Sequence, residues 1–386
     1  MRVVIAGDFP DDPSIIVGGI QAVICNTLLE LSKFSNLEIH IVSCEKWGKA
    51  AKDGAWVYHG DNWIAHHFPS SRRIPHTISI LTTDRYAVAK AILSLKPDVI
   101  HAHGQAATYP WAAFDTNIPT VITVHGINTL EARIDPRGGT LRGKLRAFIW
   151  EKIEHACLRR ARDIVIISPF VEKYVRPLTQ ANFHRIENPV QPQLFHIVRH
   201  PIPFRVLYVG SIQKRKGLAD LIKAIAVLKN YIPGIHLRVA GGFLEPFAEY
   251  GQYVKKLVGD LGVDDRIHFL GHLDRPSLMI ELQSCDLFCL PSYLEASPVV
   301  VAEAMAAGCP IITTKIESTD HLIVDGETGY RYPPGDIQSL SDSIFYLLSS
   351  EENKLRFGQR AKEEALSRFS PERTAEATYK LYLSLK

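Results

Sequence analysis

Short apolar runs alternate with longer stretches of helical period along this chain, and the fold has to satisfy that alternation. Residues 2–6, 37–42, 98–101, 120–124 and 163–167 are β-rich apolar runs of strand length. Amphipathic segments separate them. In residues 20–31, Ile20, Val23, Ile24, Thr27, Leu28 and Leu31 fall on one helical face. Continuous apolar strands separated by helices predict parallel strands with helices on both sheet faces. The pattern breaks in residues 188–204, which hold four prolines and few periodic apolar positions. It then restarts with a strand at 204–209, a helix at 218–228 and a strand at 235–240 closed by Gly241 and Gly242. Further strands are expected at 266–270, 286–290 and 311–313. The reading is an α/β chain of two doubly wound, Rossmann-like domains facing a central cleft. Residues 1–190 form the first, 191–204 a linker and 205–369 the second. Ligands in such sheets bind beyond the C-terminal strand ends.

Composition adds bounds. A chain of 386 residues with 46% hydrophobic residues exceeds one ordinary core, so two domains are expected. Charged residues are 22% and the formal net charge is +3, which excludes disordered and collagen-like classes and gives no dense basic face for nucleic acid. The charge is uneven: 23 Lys and Arg against 18 Asp and Glu in residues 1–200, then 21 against 23. The six cysteines form no C-x-x-C pair, so neither a zinc site nor a disulfide framework reads out and a reducing cytoplasm fits. The N-terminal apolar run reads as a first strand, too short for a signal-peptide core. No run of about 18 apolar residues predicts a spanning helix.

Four segments carry candidate chemistry. In residues 291–308 an apolar strand runs into a loop holding Glu295. Ser297 reads as an N-cap and Pro298 as the first residue of a helix that Gly308 ends. The amides of Val299 and Val300 are orphan donors at the positive helix end, which suits a phosphate. Glu303 lies more than a turn inside, so Glu295 and Glu303 should meet neutral hydroxyls flanking that phosphate; the bland alternative is a loop charge and a solvated helix surface. Residues 209–217 place Lys214, Arg215 and Lys216 between Gly210 and Gly217 at a strand-to-helix turn, which suits a diphosphate or is a solvated basic turn. Runs 98–101 and 120–124 lead to His101, His103 and His125. These histidines lack paired carboxylates at motif spacing, so no metal is expected. Gly18 and Gly19 precede a helix without the G-x-G-x-x-G pattern, which disfavours a nicotinamide-dependent oxidoreductase.

Together these segments resemble family-4 retaining glycosyltransferases, also called glycosyl transferases group 1, which have the GT-B architecture. Glu295 and Glu303 match the E-x7-E signature with its Glu-Ala-Met-Ala-x-Gly continuation, residues 210–217 the G-R-x4-K-G loop, and residues 123–125 the T-x-H segment. Residues 100–103 are similar to the family's V-H-x-H run. The resemblance implies that Glu295 contacts the transferred sugar and Glu303 the ribose. It implies that Lys216 binds phosphate, that His125 lies near the anomeric carbon, and that Gly18 and Gly19 face the donor phosphates. The family arginine falls on Ser211, leaving Ser211 with only a hydroxyl, or Arg215 or Lys214 as the replacing cation. The expected function is retaining transfer of a sugar from a nucleotide-sugar, UDP-linked in preference and GDP-mannose next. The acceptor would be a glycan, a lipid-linked or a small molecule, in surface polysaccharide or glycoconjugate synthesis. No metal cofactor is expected. A GT-B sugar-nucleotide epimerase and a non-catalytic nucleotide-sugar-binding protein are the alternatives. The resemblance also implies that a helical tail near 370–386 crosses back to the first domain. Residues 141–162 form an apolar stripe with basic flanks, a membrane-surface helix or, for its second half in preference, a scaffold helix. Residues 129–144 are the candidate acceptor loop. The basic first half predicts at most peripheral contact with an anionic membrane on its cytoplasmic face.

Overall fold

The computed structural model describes residues 1–16, 18–45, 49–71, 79, 81–104, 108–134, 141–243 and 248–386. It divides into two compact units, Met1–Pro189 with Pro371–Lys386, and Val190–Ser370.

The first unit is built on eight strands: β1 (Arg2–Ala6), β2 (Glu38–Glu45), β3 (Trp56–Gly60), β4 (Trp63–Pro69), β5 (Val99–His103), β6 (Thr120–Val124), β7 (Asp163–Ile166) and β8 (Asn182–Arg185). Their order is β3-β4-β2-β1-β5-β6-β7-β8. The apolar runs predicted as strands pair in parallel, because both faces of each are covered. The expectation of parallel strands alone is corrected at the edge. There β3 and β4 form an antiparallel hairpin across Asp61 and Asn62, with Asn62 at φ 62°. Asn tolerates the left-handed conformation that the second turn position takes here.

The tail helix Pro371–Leu385 belongs to the first unit. Its Ala375, Leu381 and Tyr382 share a core with Ile24 and Leu28 of the helix Gly19–Leu31. Tyr379 stacks on Phe34 with ring centroids 4.5 Å apart.

The candidate acceptor loop is also corrected. Its ends are helical, Asn128–Ile134 and the start of Leu141–Arg160, while residues 135–140 lie outside the described residues. The Glu154 carboxylate accepts the Asn128 and Thr129 amides at 2.9 and 3.2 Å, capping the shorter helix. In the longer one Cys157 and Leu158 are buried, whereas Leu145, Phe148 and Ile149 are exposed. Its second half is therefore scaffold, and its first half presents apolar side chains to solvent.

The second unit carries β9 (Arg205–Val209), β10 (His236–Ala240), β11 (Ile267–Gly271), β12 (Leu287–Leu290), β13 (Ile311–Thr314) and β14 (Tyr330–Tyr332). The order is β11-β10-β9-β12-β13-β14, and every pairing is parallel. The expected linker is not a free connection. Residues Pro192–His196 form a 3-10 turn, and Val190 and Leu194 lie in this unit's core. The prolines removed helical period from this stretch without removing its two buried apolar anchors.

Candidate active site

Three loops leave the C-terminal ends of the adjacent strands β10, β9 and β12, and missing side chains hold them together. A Cβ on Gly241, at φ +151°, would fall 1.9 Å from the Gly210 carbonyl oxygen. A Cβ on Gly217, at φ +69°, would fall 1.9 Å from the Pro291 carbonyl oxygen. Both positions combine a backbone conformation that favours glycine with an approach only glycine permits. Hydrogen bonds complete the junction: the Tyr293 amide donates to the Arg215 carbonyl at 2.7 Å, and Arg215 Nη1 to the Leu294 carbonyl at 3.2 Å. Tyr293 also donates its hydroxyl to Asp220 at the start of the helix Leu218–Leu228. Tyr293 and Gly241 were missed as site residues in the sequence, although Gly241 and Gly242 mark the strand end there.

This junction brings Lys216 to Glu295. Lys216 sits in the 3-10 turn Lys214–Lys216, and its Nζ donates to Glu295 Oε1 at 2.6 Å. Arg215 Nη1 lies 3.7 Å from Glu295 Oε2. Glu295 is buried, which by itself raises its pKa. The Lys216 ammonium and the Arg215 guanidinium outweigh that effect and hold the carboxyl below its usual value. Of the cations considered beside Ser211, it is therefore Arg215 that faces the same carboxylate as Lys216. Ser211 turns its Oγ to Gln213, accepting from Nε2 at 2.6 Å.

The helix after β12 is Val299–Ala306, and Gly308 ends it at φ +73°. Its N-cap is Pro298, with no side-chain cap bond, which corrects the assignment of Ser297 as cap and Pro298 as first helical residue. Ser297 lies one residue before the cap and is half-buried. Val299 and Val300 are the first two helical residues, so their amides lack intrahelical acceptors. Glu303 is half-buried on this helix, and among the described residues its carboxylate has no hydrogen-bond or ion-pair partner. Burial pushes its carboxyl up to about 7, with Arg275 pulling the other way. An acid of this kind suits a ligand hydroxyl, which can supply the missing bond.

In the first unit, His101, His103, Thr123 and His125 follow one sheet face across β5 and the end of β6. His103 pairs with Thr123 in the ladder. His103 Nδ1 lies 2.8 Å from His125 Nε2. His101 Nδ1 lies 2.7 Å from the Tyr382 hydroxyl, and its Nε2 lies 2.6 Å from Thr123 Oγ1. Burial depresses all three rings: His101 to about 3, His125 to about 4 and His103 well below the usual value. They are neutral at pH 7.

Gly18 is the N-cap of the helix Gly19–Leu31, and a Cβ on Gly18 or Gly19 would meet nothing within 4 Å. Packing does not require glycine at either position, and both leave the helix start bare. Val17 lies outside the described residues. Among the described residues Asp11, Glu45 and His67 are the one metal-capable group, with ligand atoms within 4.8 Å of one another. His67 Nδ1 is already bonded to Glu45.

Two α/β units, the second a wholly parallel sheet and the first parallel but for its edge hairpin, have the GT-B architecture of glycosyltransferases. The pattern of Glycosyltransferase Family 4 matches residues 17–194, and that of Glycosyl transferases group 1 matches residues 196–364. The chain belongs to the family-4 glycosyltransferases. It is 27% identical over 301 residues to a glycogen synthase of Mycobacterium tuberculosis, covering 76% of this chain and 70% of that protein. It is 24% identical over 378 residues to the capsular polysaccharide biosynthesis glycosyltransferase CapM of Staphylococcus aureus, covering 92% of each. The crystal structure of Anabaena HepE in complex with UDP and glucose superposes with a TM-score of 0.73 at 18% identity, covering 100% of both chains.

Proposed function

We propose that the chain transfers a sugar from a UDP-sugar, with GDP-mannose the next candidate donor, to a glycan, lipid-linked or small-molecule acceptor, retaining the anomeric configuration. The product would enter a surface polysaccharide or glycoconjugate, and the work would be done in the cytoplasm. The observation that carries this reading is the contrast between two glutamates eight residues apart. Glu295 is bonded to Lys216, while Glu303 is half-buried, raised in pKa and, among the described residues, without a hydrogen bond or ion pair. In this proposal Glu303 binds the ribose hydroxyls, Glu295 the hydroxyls of the transferred sugar, and Lys216 with the Val299 and Val300 amides the diphosphate. The UDP in HepE and the polysaccharide role in CapM's name favour the donor and product classes.

The chemistry follows from where charge develops. As the bond between the anomeric carbon and the diphosphate oxygen breaks, negative charge grows on the leaving diphosphate, and a cation beside it stabilises the transition state preferentially. Retention through a covalent intermediate needs a carboxylate nucleophile. In this proposal Glu295 is given to the sugar hydroxyls instead, and the His125 ring, bonded to His103, is at a pKa near 4 a weak base. The reading is therefore same-face substitution: the acceptor hydroxyl attacks on the leaving-group side and passes its proton to the departing diphosphate oxygen. His125 orients the sugar and takes no proton. An NMR time course of the product formed from an α-linked donor tests the proposal. An α-linked product is expected, and a β-linked product refutes it.

A further inference from the structure

We propose that His103 is a positioning residue that holds the His125 ring and fixes which of its two nitrogens carries the proton. The proposal rests on the sugar-facing role given to His125 above.

The geometry begins with the sheet. β5 and β6 are parallel neighbours, and the register that pairs His103 with Thr123 puts His125 two residues further along the same face. The His103 and His125 rings are nearly parallel, 17° apart with centroids 5.1 Å apart, and share the 2.8 Å contact between Nδ1 and Nε2. Behind His103 stands His101, stacked at 4.5 Å. His101 cannot turn freely, since the Tyr382 hydroxyl and Thr123 Oγ1 engage its two nitrogens. Space for His103 comes from Gly7, just after β1. A Cβ there would lie 3.1 Å from His103 Cβ and 2.8 Å from Ile24 Cδ1. The tail helix, the first loop and two strands thus converge on the orientation of one imidazole.

The consequence is chemical. In a hydrogen bond between two neutral imidazoles one nitrogen donates and the other accepts. If His103 Nδ1 donates, His125 Nε2 is bare and the His125 proton sits on Nδ1. If His125 Nε2 donates, its Nδ1 is bare. The nitrogen left to meet a sugar oxygen is a donor in the first case and an acceptor in the second. A side chain that fixes the shared bond therefore fixes what His125 offers to the sugar, without itself touching the sugar. Burial keeps both rings neutral at pH 7, so a doubly protonated ring does not blur the choice.

The test compares His103→Phe, which keeps a ring and loses Nδ1, with His103→Asn, whose amide reaches the place of Nδ1. Nitrogen NMR of the His125 ring reads the tautomer, and UDP release from UDP-glucose reads kcat and donor KM. Wild type and His103→Asn are expected to show one His125 tautomer, and His103→Phe a mixture. His103→Phe should lower kcat about tenfold or more, the worth of one well-placed hydrogen bond, with KM within about twofold of wild type. His103→Asn should recover most of the loss. If His103→Phe does not fold, His103→Leu takes its place, and if UDP-glucose is not turned over, the ring-nitrogen spectra decide alone. Unchanged His125 nitrogen shifts in His103→Phe overturn the proposal. His125→Ala separates the two levels: wild-type turnover there sinks the sugar-facing role, whereas its loss beside an unaffected His103→Phe sinks only the positioning role.

Discussion

Replacing Lys216 by methionine removes an ammonium and keeps most of the side chain. Lys216 Nζ lies 2.6 Å from a Glu295 carboxylate that is 7% exposed, and Arg215 is farther from it, at 3.7 Å. Burial pushes the Glu295 carboxyl up, and the two cations overcome that push. Removing the nearer cation leaves Arg215 as the remaining cation set against burial. Breaking a buried pair by deleting one partner costs about 3–5 kcal/mol. Arg215 remains, so a loss of about 2–3 kcal/mol is expected here. Adding Glu295→Gln removes the stranded charge, so the double variant should recover at least ~1 kcal/mol of that loss.

A chain of two units need not unfold in one step. Native-state hydrogen exchange at β9 and β12 amides therefore reads the opening of the second unit itself. A loss of about 2.7 kcal/mol speeds that exchange about a hundredfold. The sign of the pH dependence follows from Glu295. Its folded pKa lies below the unfolded value of 4.5, so its contribution is present above that value and is lost as pH falls through the folded one. The gap between wild type and Lys216→Met should be full at pH 7 and close in acid. Strictly additive effects of Lys216→Met and Glu295→Gln, or a gap indifferent to pH, would refute the reasoning.

Other predictions follow from the same loops and surfaces. Glu303→Ala should raise donor KM about 10- to 100-fold, the worth of a charged hydrogen bond, with a smaller change in kcat; unchanged donor affinity in the folded variant contradicts the ribose role. The raised Glu303 pKa gives stability below 4.5 that is lost as pH rises through about 7, so Glu303→Gln should gain on wild type in melting temperature above that pH. Gly217→Ala should cost more stability than Gly326→Ala and should also weaken donor binding. Both glycines have positive φ, about 1–2 kcal/mol of strain for alanine, but a Cβ on Gly326 meets nothing within 4 Å; equal losses would show that the Pro291 contact does not matter. Turnover should persist in excess EDTA, and complete loss restored by Mg²⁺ or Mn²⁺ would assign a metal. Binding to anionic vesicles should weaken with salt and with Phe148→Ser, since Leu145, Phe148 and Ile149 are exposed beside Lys144, Arg146 and Lys152; equal partition at low and high salt removes the electrostatic mechanism.

What the chain disclosed in advance depended on how local each cause was. The strands β1 and β6 and the helix Leu218–Leu228 were legible to the residue, because buried parallel strands are unbroken apolar runs and this helix keeps its period between Gly217 and its end. The hairpin of β3 and β4 was not, since Trp56–Gly60 is half-buried at an edge and its His and Tyr residues dilute the apolar signal. Its Asp61–Asn62 turn was the readable sign. Ser297 misled because its side chain suits a cap, and nothing local revealed that the helix starts after Pro298. The site divides in the same way. Lys216 and Glu295 each announced themselves inside a segment of glycines and charges, but they stand 79 residues apart, and no spacing rule joins them. Gly217 joins them. In the sequence it is a turn residue chosen for backbone freedom, whereas in the fold its missing Cβ admits the Pro291 carbonyl and brings the two loops into register. Backbone freedom alone would allow several replacements at modest cost. The contact allows none without a shift of the backbone at Pro291 or Gly217, so the residue with no side chain sets how closely the lysine's loop can approach the carboxylate's.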